Sequence, residues 1–271
     1  MTIEPEELSR PDRHIFLSPH YDDIALSCGG TAAELSAAGR TPEVALIFGD
    51  HPDPAQPLTG FAQQLHKQWG MGAEEVISGR RAEERMASVA LGTCDRFLPF
   101  RDAIYRGERY LSDDDLFGAV KADESELPGK IIDELRLCAD GAGNTRIYAP
   151  LAIGHHVDHQ HAYLTGLELI RRGWEVWFYE DLPYGLKPVN VDARRDQIER
   201  DGLKPGPAVA VGSQWKRKID AIMAYPSQLS TIFGQYVGVG TSRAAIDEAM
   251  TAYARTMGDG VPAERFWSRH D

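Results

Sequence analysis

Apolar positions in this chain fall into short, nearly continuous runs separated by stretches of helical period. The first run is His14-Ile15-Phe16-Leu17-Ser18, followed by a turn and the small-residue segment Ala25-Leu26-Ser27-Cys28-Gly29-Gly30. An apolar run that breaks into a turn and then a helix reads as the start of a strand–helix unit. Asp23 to Ala38 is predicted helical, with Gly39 at the stop position where a left-handed residue is common. Glu43 to Phe48 reads as a second buried strand, so the order strand, helix, strand points to a parallel sheet.

The pattern continues with interruptions. Gly49 to Gly79 is rich in Pro and Gly and reads as a loop or lid, with a short helix over Phe61 to Trp69. Arg80 to Leu91 is predicted helical and Gly92 its stop. Phe97 to Phe100 is a short strand or extended piece. Leu111 to Glu126 is acidic and expected to be exposed. Ile131 to Cys138 reads as helix, Asp140 to Asn144 as loop, Arg146 to Ala149 as strand, Ala162 to Arg172 as helix and Val176 to Tyr179 as strand. Beyond Glu180 the pattern loosens to a strand over Pro207 to Val211 and helices over Gln214 to Ala224 and Ala244 to Met257. The expected fold is α/β: a Rossmann-like, mainly parallel sheet flanked by helices, with a looser C-terminal region. No linker divides the chain, so residues 1–271 are read as one domain. A C-terminal subdomain from about residue 181 is the alternative division.

Bulk properties narrow the function. The 271 residues suffice for one large α/β domain. A net charge of −12 speaks against a nucleic-acid partner, which needs clustered Lys and Arg. The three cysteines, Cys28, Cys94 and Cys138, form no C-x-x-C pair, so a disulfide framework is not expected and a reducing, cytoplasmic setting fits. No apolar run approaches the length of a membrane span.

Two clusters carry the chemistry. His20-Tyr21-Asp22-Asp23 follows the first strand, and His155-His156-Val157-Asp158-His159-Gln160-His161 follows the strand over 146–149. Ligands in open α/β sheets sit at the carboxyl ends of strands, so both clusters are expected at one edge. A hydrolytic zinc site needs three N or O ligands and an open position for water. Adjacent Asp22 and Asp23 point in different directions, so one can bind metal while the other faces the water. His156 and His159, three apart, share a face if helical, one to ligate and one to face substrate. Asp158 is placed to hold an imidazole tautomer. Taken alone, His-x-Asp-Asp is weak, because carboxylates favour helix starts anyway. Four histidines within seven residues, again after a strand, are harder to assign to packing. Cysteine plays no part, which disfavours a structural zinc site.

These clusters resemble the PIG-L/LmbE-like family of zinc-dependent de-N-acetylases, whose members carry His-Pro-Asp-Asp-Glu followed by small residues, and a later His-x-Asp-His. Weaker matches are Arg80-x-x-Glu83-x-x-x-Ala87 before Leu91-Gly92, Asp102 after a short strand, and Ser227-Gln228 after Lys218. The resemblance spans roughly residues 13 to 230. It implies His20, Asp23 and His159 as ligands of one Zn2+, Asp22 as general base, and His156 as oxyanion stabiliser or proton donor to the leaving amine. Tyr21 and Ile24 stand where relatives have Pro and Glu, and the lost Glu is expected to alter substrate preference rather than chemistry.

Other residues have competing readings. Arg80 is a substrate contact or a helix-surface partner of Glu83 or Glu84. Asp102 is a substrate contact or a turn aspartate. Asp181 closes a buried strand at the same edge and is a candidate for binding hydroxyls or an amine. Phe61, Trp69 and Tyr105 could line a sugar-sized cleft or pack a lid. His155 and His161 are expected to be structural or solvent-facing, and Lys218 to be a solvated helix residue. The leading function is hydrolysis of an N-acyl amino sugar or its glycoconjugate. The alternatives are a metal-dependent phosphoesterase, which metal stoichiometry would separate, and a non-catalytic metal- or sugar-binding protein, which an amine-release assay would separate. The expected partner is a small molecule or glycoconjugate.

Overall fold

A computed structural model describes residues 2–70 and 72–269. Seven strands form one sheet in the order β3-β2-β1-β4-β5-β7-β6, where β1 is Arg13–Ser18, β2 Glu43–Leu46, β3 Cys94–Phe97, β4 Thr145–Pro150, β5 Glu175–Tyr179, β6 Lys204–Ala210 and β7 Ala263–Ser268. The first five are parallel, and β7 runs antiparallel to both β5 and β6. The apolar runs mark strands covered on both faces: five of the six residues of β1 and all six of β4 are buried. Helices cover the two faces. Gly29–Ala37, Ala73–Leu91 and Trp215–Ile222 pack together on one side, and Leu127–Leu135 and Val157–Arg171 on the other.

Strand order reverses between β1 and β4, which lie side by side. That crevice is where an open α/β sheet binds ligands. Both histidine clusters follow these two strands.

Several expected elements shift. The helix expected over 23–38 is two helices, Asp23–Ser27 and Gly29–Ala37, broken at Cys28. Gly39 and Gly92 do hold positive φ, at 80° and 72°. The proline-rich stretch ends in more helix than expected: Gly60–Trp69 and then Ala73–Leu91, which begins seven residues before Arg80. The extended piece expected over 97–100 is a strand three residues earlier, at Cys94–Phe97. The acidic 111–126 stretch is not uniformly exposed. Its apolar Leu116 is buried at the end of the short helix Asp113–Leu116, and Glu124 is buried by ion pairing.

One helix of the C-terminal region carries weak periodicity. Pro188–Arg200 buries only Arg194 and Ile198, so it has no apolar stripe to read. Yet β6 and β7 extend the same sheet. Lys218, expected to be solvated, is 1% exposed and paired with Glu264. A lysine with its ammonium fully bonded tolerates such burial.

Candidate active site at the carboxyl edge of the sheet

The carboxyl ends of β1, β3, β4 and β5 deliver the functional side chains to one cleft of about 320 Å³. After β1 the chain turns through Asp22, whose φ of 80° lies in the left-handed region that Asp tolerates better than most residues. This kink sets Asp22 and Asp23 in different directions. Asp23 turns back and accepts from the His20 backbone N–H at 2.7 Å. Asp22 meets Arg80 Nη2 at 3.3 Å. Helix Val157–Arg171 begins at His156, whose Nδ1 accepts from the Asp158 N–H at 3.2 Å as the helix cap. His156 and His159 therefore face the cleft from one helical turn.

His20, Asp23 and His159 offer three ligand atoms within 4.8 Å of one another. His159 Nε2 stands 3.4 Å from Asp23 Oδ2, while His159 Nδ1 is bonded to Asp181 Oδ1 at 2.6 Å. With Nδ1 as the donor, Nε2 keeps its lone pair toward the site, as a metal-binding imidazole requires. Two imidazoles and one carboxylate, with no thiolate, form a donor set suited to a zinc-like divalent ion at an open site.

A second grouping, His20, His156 and Asp158, also lies within 4.8 Å. Asp158 is already committed there. Its Oδ2 accepts from the Ala103 N–H at 3.0 Å and meets His20 Nε2 at 2.9 Å, and Oδ1 pairs with Arg106 Nη1 at 2.6 Å. The imidazole it holds is that of His20.

Burial and charge set unusual protonation. Considering the chain's own groups alone, burial pushes Asp22 up to about 7, against the pull of Arg80. Burial would depress His20, but the carboxylates of Asp102, Asp158 and Asp23 outweigh it and raise the ring to about 9. His159 also rises against burial, through Asp23 and the bond to Asp181. Burial and the facing His20 hold His156 well below the usual imidazole range. Arg106 and His20 overcome burial to hold Asp158 far below the carboxylate range. Burial raises Asp102, and raises Glu84 to about 8.

Of the three expected substrate contacts, two line the cleft. Arg80 does so while donating to Tyr21 O and Asp22, and it pairs with neither Glu83 nor Glu84. Glu83 accepts from Ser227, and Glu84 from Tyr225 Oη. Asp102 also lines the cleft, 3.6 Å from His20 Nε2, although it also accepts from Ile104 N as a turn aspartate would. Asp181 is different. It is 1% exposed, with its oxygens taken by His159 Nδ1 and Ile153 N, so it stands behind His159 and is corrected from substrate contact to imidazole support. Trp69 lines the cleft, whereas Phe61 and Tyr105 pack in a cluster beside it. His161 is buried against Glu124, and His155 is exposed.

Tyr21 and Ile24 face the core rather than the cleft. Tyr21 donates to Gly49 O at 2.6 Å, and Ile24 belongs to the buried core cluster that includes Phe16 and Tyr148.

Sequence reasoning gave Glu84 only as a partner for Arg80, whereas it backs the Asp22 turn, and it missed Arg106, which pairs with Asp158. It also missed the aromatic wall of Phe117, Tyr184 and Tyr236. Phe117 is 40% exposed, yet its ring meets His156 edge-on at 5.5 Å. Nothing in the local pattern distinguishes these residues from surface ones; only their partners, far along the chain, do.

The chain is similar to proteins named as deacetylases. The chain is 31% identical over 237 residues to a 2'-N-acetylparomamine deacetylase of Niallia circulans, covering 82% of each. It is 31% identical over 225 residues to a protein of the same name from Streptomyces fradiae, covering 82% of this chain and 75% of that one. The crystal structure of the A40926 pseudoaglycone deacetylase superposes with a TM-score of 0.70 at 26% identity, covering 95% of this chain and 97% of that one. The family model for PIG-L, described as GlcNAc-PI de-N-acetylase, matches residues 15–170, and the chain belongs to the PIG-L/LmbE-like family.

Proposed function

We propose that this protein is a hydrolase that removes an acetyl or other acyl group from the amide nitrogen of an amino sugar or its glycoconjugate. It would use one Zn2+ held by His20, Asp23 and His159. The observation that carries the reading is the ligand-competent group His20, Asp23 and His159 beside a separately held carboxylate, Asp22, in a cleft large enough for a sugar. The family membership and the relatives' names support the same chemistry.

A divalent ion at the site would polarise the acyl carbonyl and acidify the attacking water. Asp22 takes that proton and passes it to the amide nitrogen as the C–N bond breaks, so the amine leaves neutral. His156 is held neutral, and its Nδ1 is occupied as an acceptor, so its remaining nitrogen carries the proton. It serves as a fixed donor to the developing oxyanion. Asp158 and Asp181 orient the imidazoles of His20 and His159. The wall of Phe117, Tyr184 and Tyr236 suits the apolar face of a sugar ring. Asp102 and Asp113 line the same cleft and suit hydroxyl or ammonium groups, in keeping with relatives named for an N-acetylated aminoglycoside precursor.

The phosphoesterase reading fits less well. A second metal would need Asp158, whose oxygens are already committed to Arg106, Ala103 and His20. The test is an amine-release screen of zinc-loaded protein over N-acetylated amino sugars, aminoglycoside precursors and glycoconjugates, with zinc stoichiometry measured in parallel. One zinc per chain and release from at least one amino sugar are expected. Two metals with phosphate-ester cleavage and no amine release would sink the proposal.

A further inference from the structure

The helix that begins with Asp23 has only five residues, Asp23–Ser27. That length does not hold itself in water, and its last carbonyls have no partners within the helix. Two charged side chains meet this end from residues beyond the stretch matched by the family model. Lys218 Nζ donates to Leu26 O at 2.8 Å, to Ser27 O at 3.1 Å and to Glu264 Oε1 at 2.7 Å. Those three contacts match the three protons of the ammonium. Glu264 accepts from the Gly30 N–H at 2.9 Å and from the Thr31 N–H at 2.7 Å, and Thr31 Oγ1 donates to it at 2.6 Å. The cation therefore sits on the C-terminal end of one helix and the anion on the N-terminal end of the next. Those are the signs that each helix dipole favours.

The joint is built tightly. A Cβ on Gly30 would stand 2.7 Å from Val211 Cβ and 2.8 Å from Glu264 Oε1. Lys218 is 1% and Glu264 7% exposed. Burying such a pair is a poor way to gain stability, since apolar residues of similar volume often serve as well. It does fix geometry, because each charge bonds to named backbone atoms.

We propose that the Lys218–Glu264 pair is a positioning device for the active site. It sets the axis of the Asp23–Ser27 helix, and through it the directions of the Asp22 and Asp23 carboxylates. This rests on the proposed roles of those two aspartates. Neither residue lines the cleft, and the bonds described are all made within the fold.

The test compares Glu264→Gln and the double variant Lys218→Met/Glu264→Gln with the parent. The double variant removes both charges at once and leaves no lone buried ion. Four readouts are taken: thermal unfolding of the metal-free protein, zinc affinity by competition with a chelator, the visible spectrum of the cobalt-loaded protein, and kcat against KM. In the double variant we expect unfolding within a few degrees of the parent, zinc affinity about 10–100-fold weaker, a changed cobalt spectrum, and a fall in kcat with KM little altered. Parent-like zinc affinity and cobalt spectrum in a folded double variant would overturn the proposal. If the double variant does not fold, Glu264→Gln decides by the same two readouts. If even the parent releases no amine from any amide tested, the deacetylase reading fails, while zinc affinity and the cobalt spectrum still judge the positioning role.

Discussion

At Asp22 a single backbone angle separates two neighbouring carboxylates. With φ at 80°, its side chain meets Arg80, while Asp23 folds back to the His20 amide. The proposed division of labour can be tested by Asp22→Asn, which keeps shape and removes the base. Zinc binding should persist, and kcat should fall by roughly 10²–10⁴-fold; a variant with parental turnover would rule out Asp22 as base. Asp181 gives a second test. It bonds His159 Nδ1 from behind and is fully enclosed. Asp181→Ala should weaken zinc binding about 10–100-fold, measured by chelator competition, with little change in KM because the side chain does not reach the cleft.

At the scale of elements, the cleft walls come from segments whose own patterns say little. The acidic stretch after residue 111 folds into the short helix Asp113–Leu116 and then presents Phe117 beside His156. The backbone there is pinned: Gln160 Nε2 donates to Gly118 O at 2.7 Å. A large apolar ring left half in water but held still is suited to a ligand face. Phe117→Ala should raise KM for its amino-sugar substrate about five- to tenfold, equivalent to ~1–1.5 kcal/mol. Steady-state kinetics should show kcat within about twofold, and the thermal midpoint should hold, since the ring adds little to the core. Unchanged KM on every substrate found by the screen would remove Phe117 from recognition. The sheet itself was readable from periodicity, because β1, β2, β4 and β5 are buried runs. The break at Cys28 was not. Gly29-Gly30 looked like small residues within one helix, and only Lys218 and Glu264 show why the chain stops and restarts there.

For the molecule as a whole, His14 couples stability to pH. It lies in β1, is 2% exposed, and its Nδ1 meets the Tyr148 hydroxyl at 3.0 Å. Burial, helped by Arg146, depresses its pKa from 6.5 to about 4. The unfolded chain therefore binds this proton first as pH falls. The stabilising contribution is full above pH 6.5 and is lost between 6.5 and 4, for a total of roughly 3 kcal/mol. Glu84, raised to about 8, has the opposite sign: the folded state takes up its proton first, so it gains stability as pH falls from 8 toward 4.5. The comparison that isolates His14 is therefore the parent against His14→Gln in urea at pH 7 and pH 4. The parent should lose more stability than the variant across that interval; equal losses would exclude His14 as the titrating group.

By itself the sequence determined the parallel core of the sheet, the two histidine–aspartate clusters and their shared edge. Each of these is local: an apolar run, a turn, and chemistry within a few residues of a strand end. Tertiary structure alone decided which imidazole Asp158 serves, that Asp181 stands behind His159, and that Arg80 turns inward to Asp22. It also decided that Lys218 is buried and that β6 and β7 complete the sheet. Those outcomes depend on partners brought together from tens to hundreds of residues apart. A charged side chain becomes buried only where such a partner satisfies it, and no local pattern records that partner in advance.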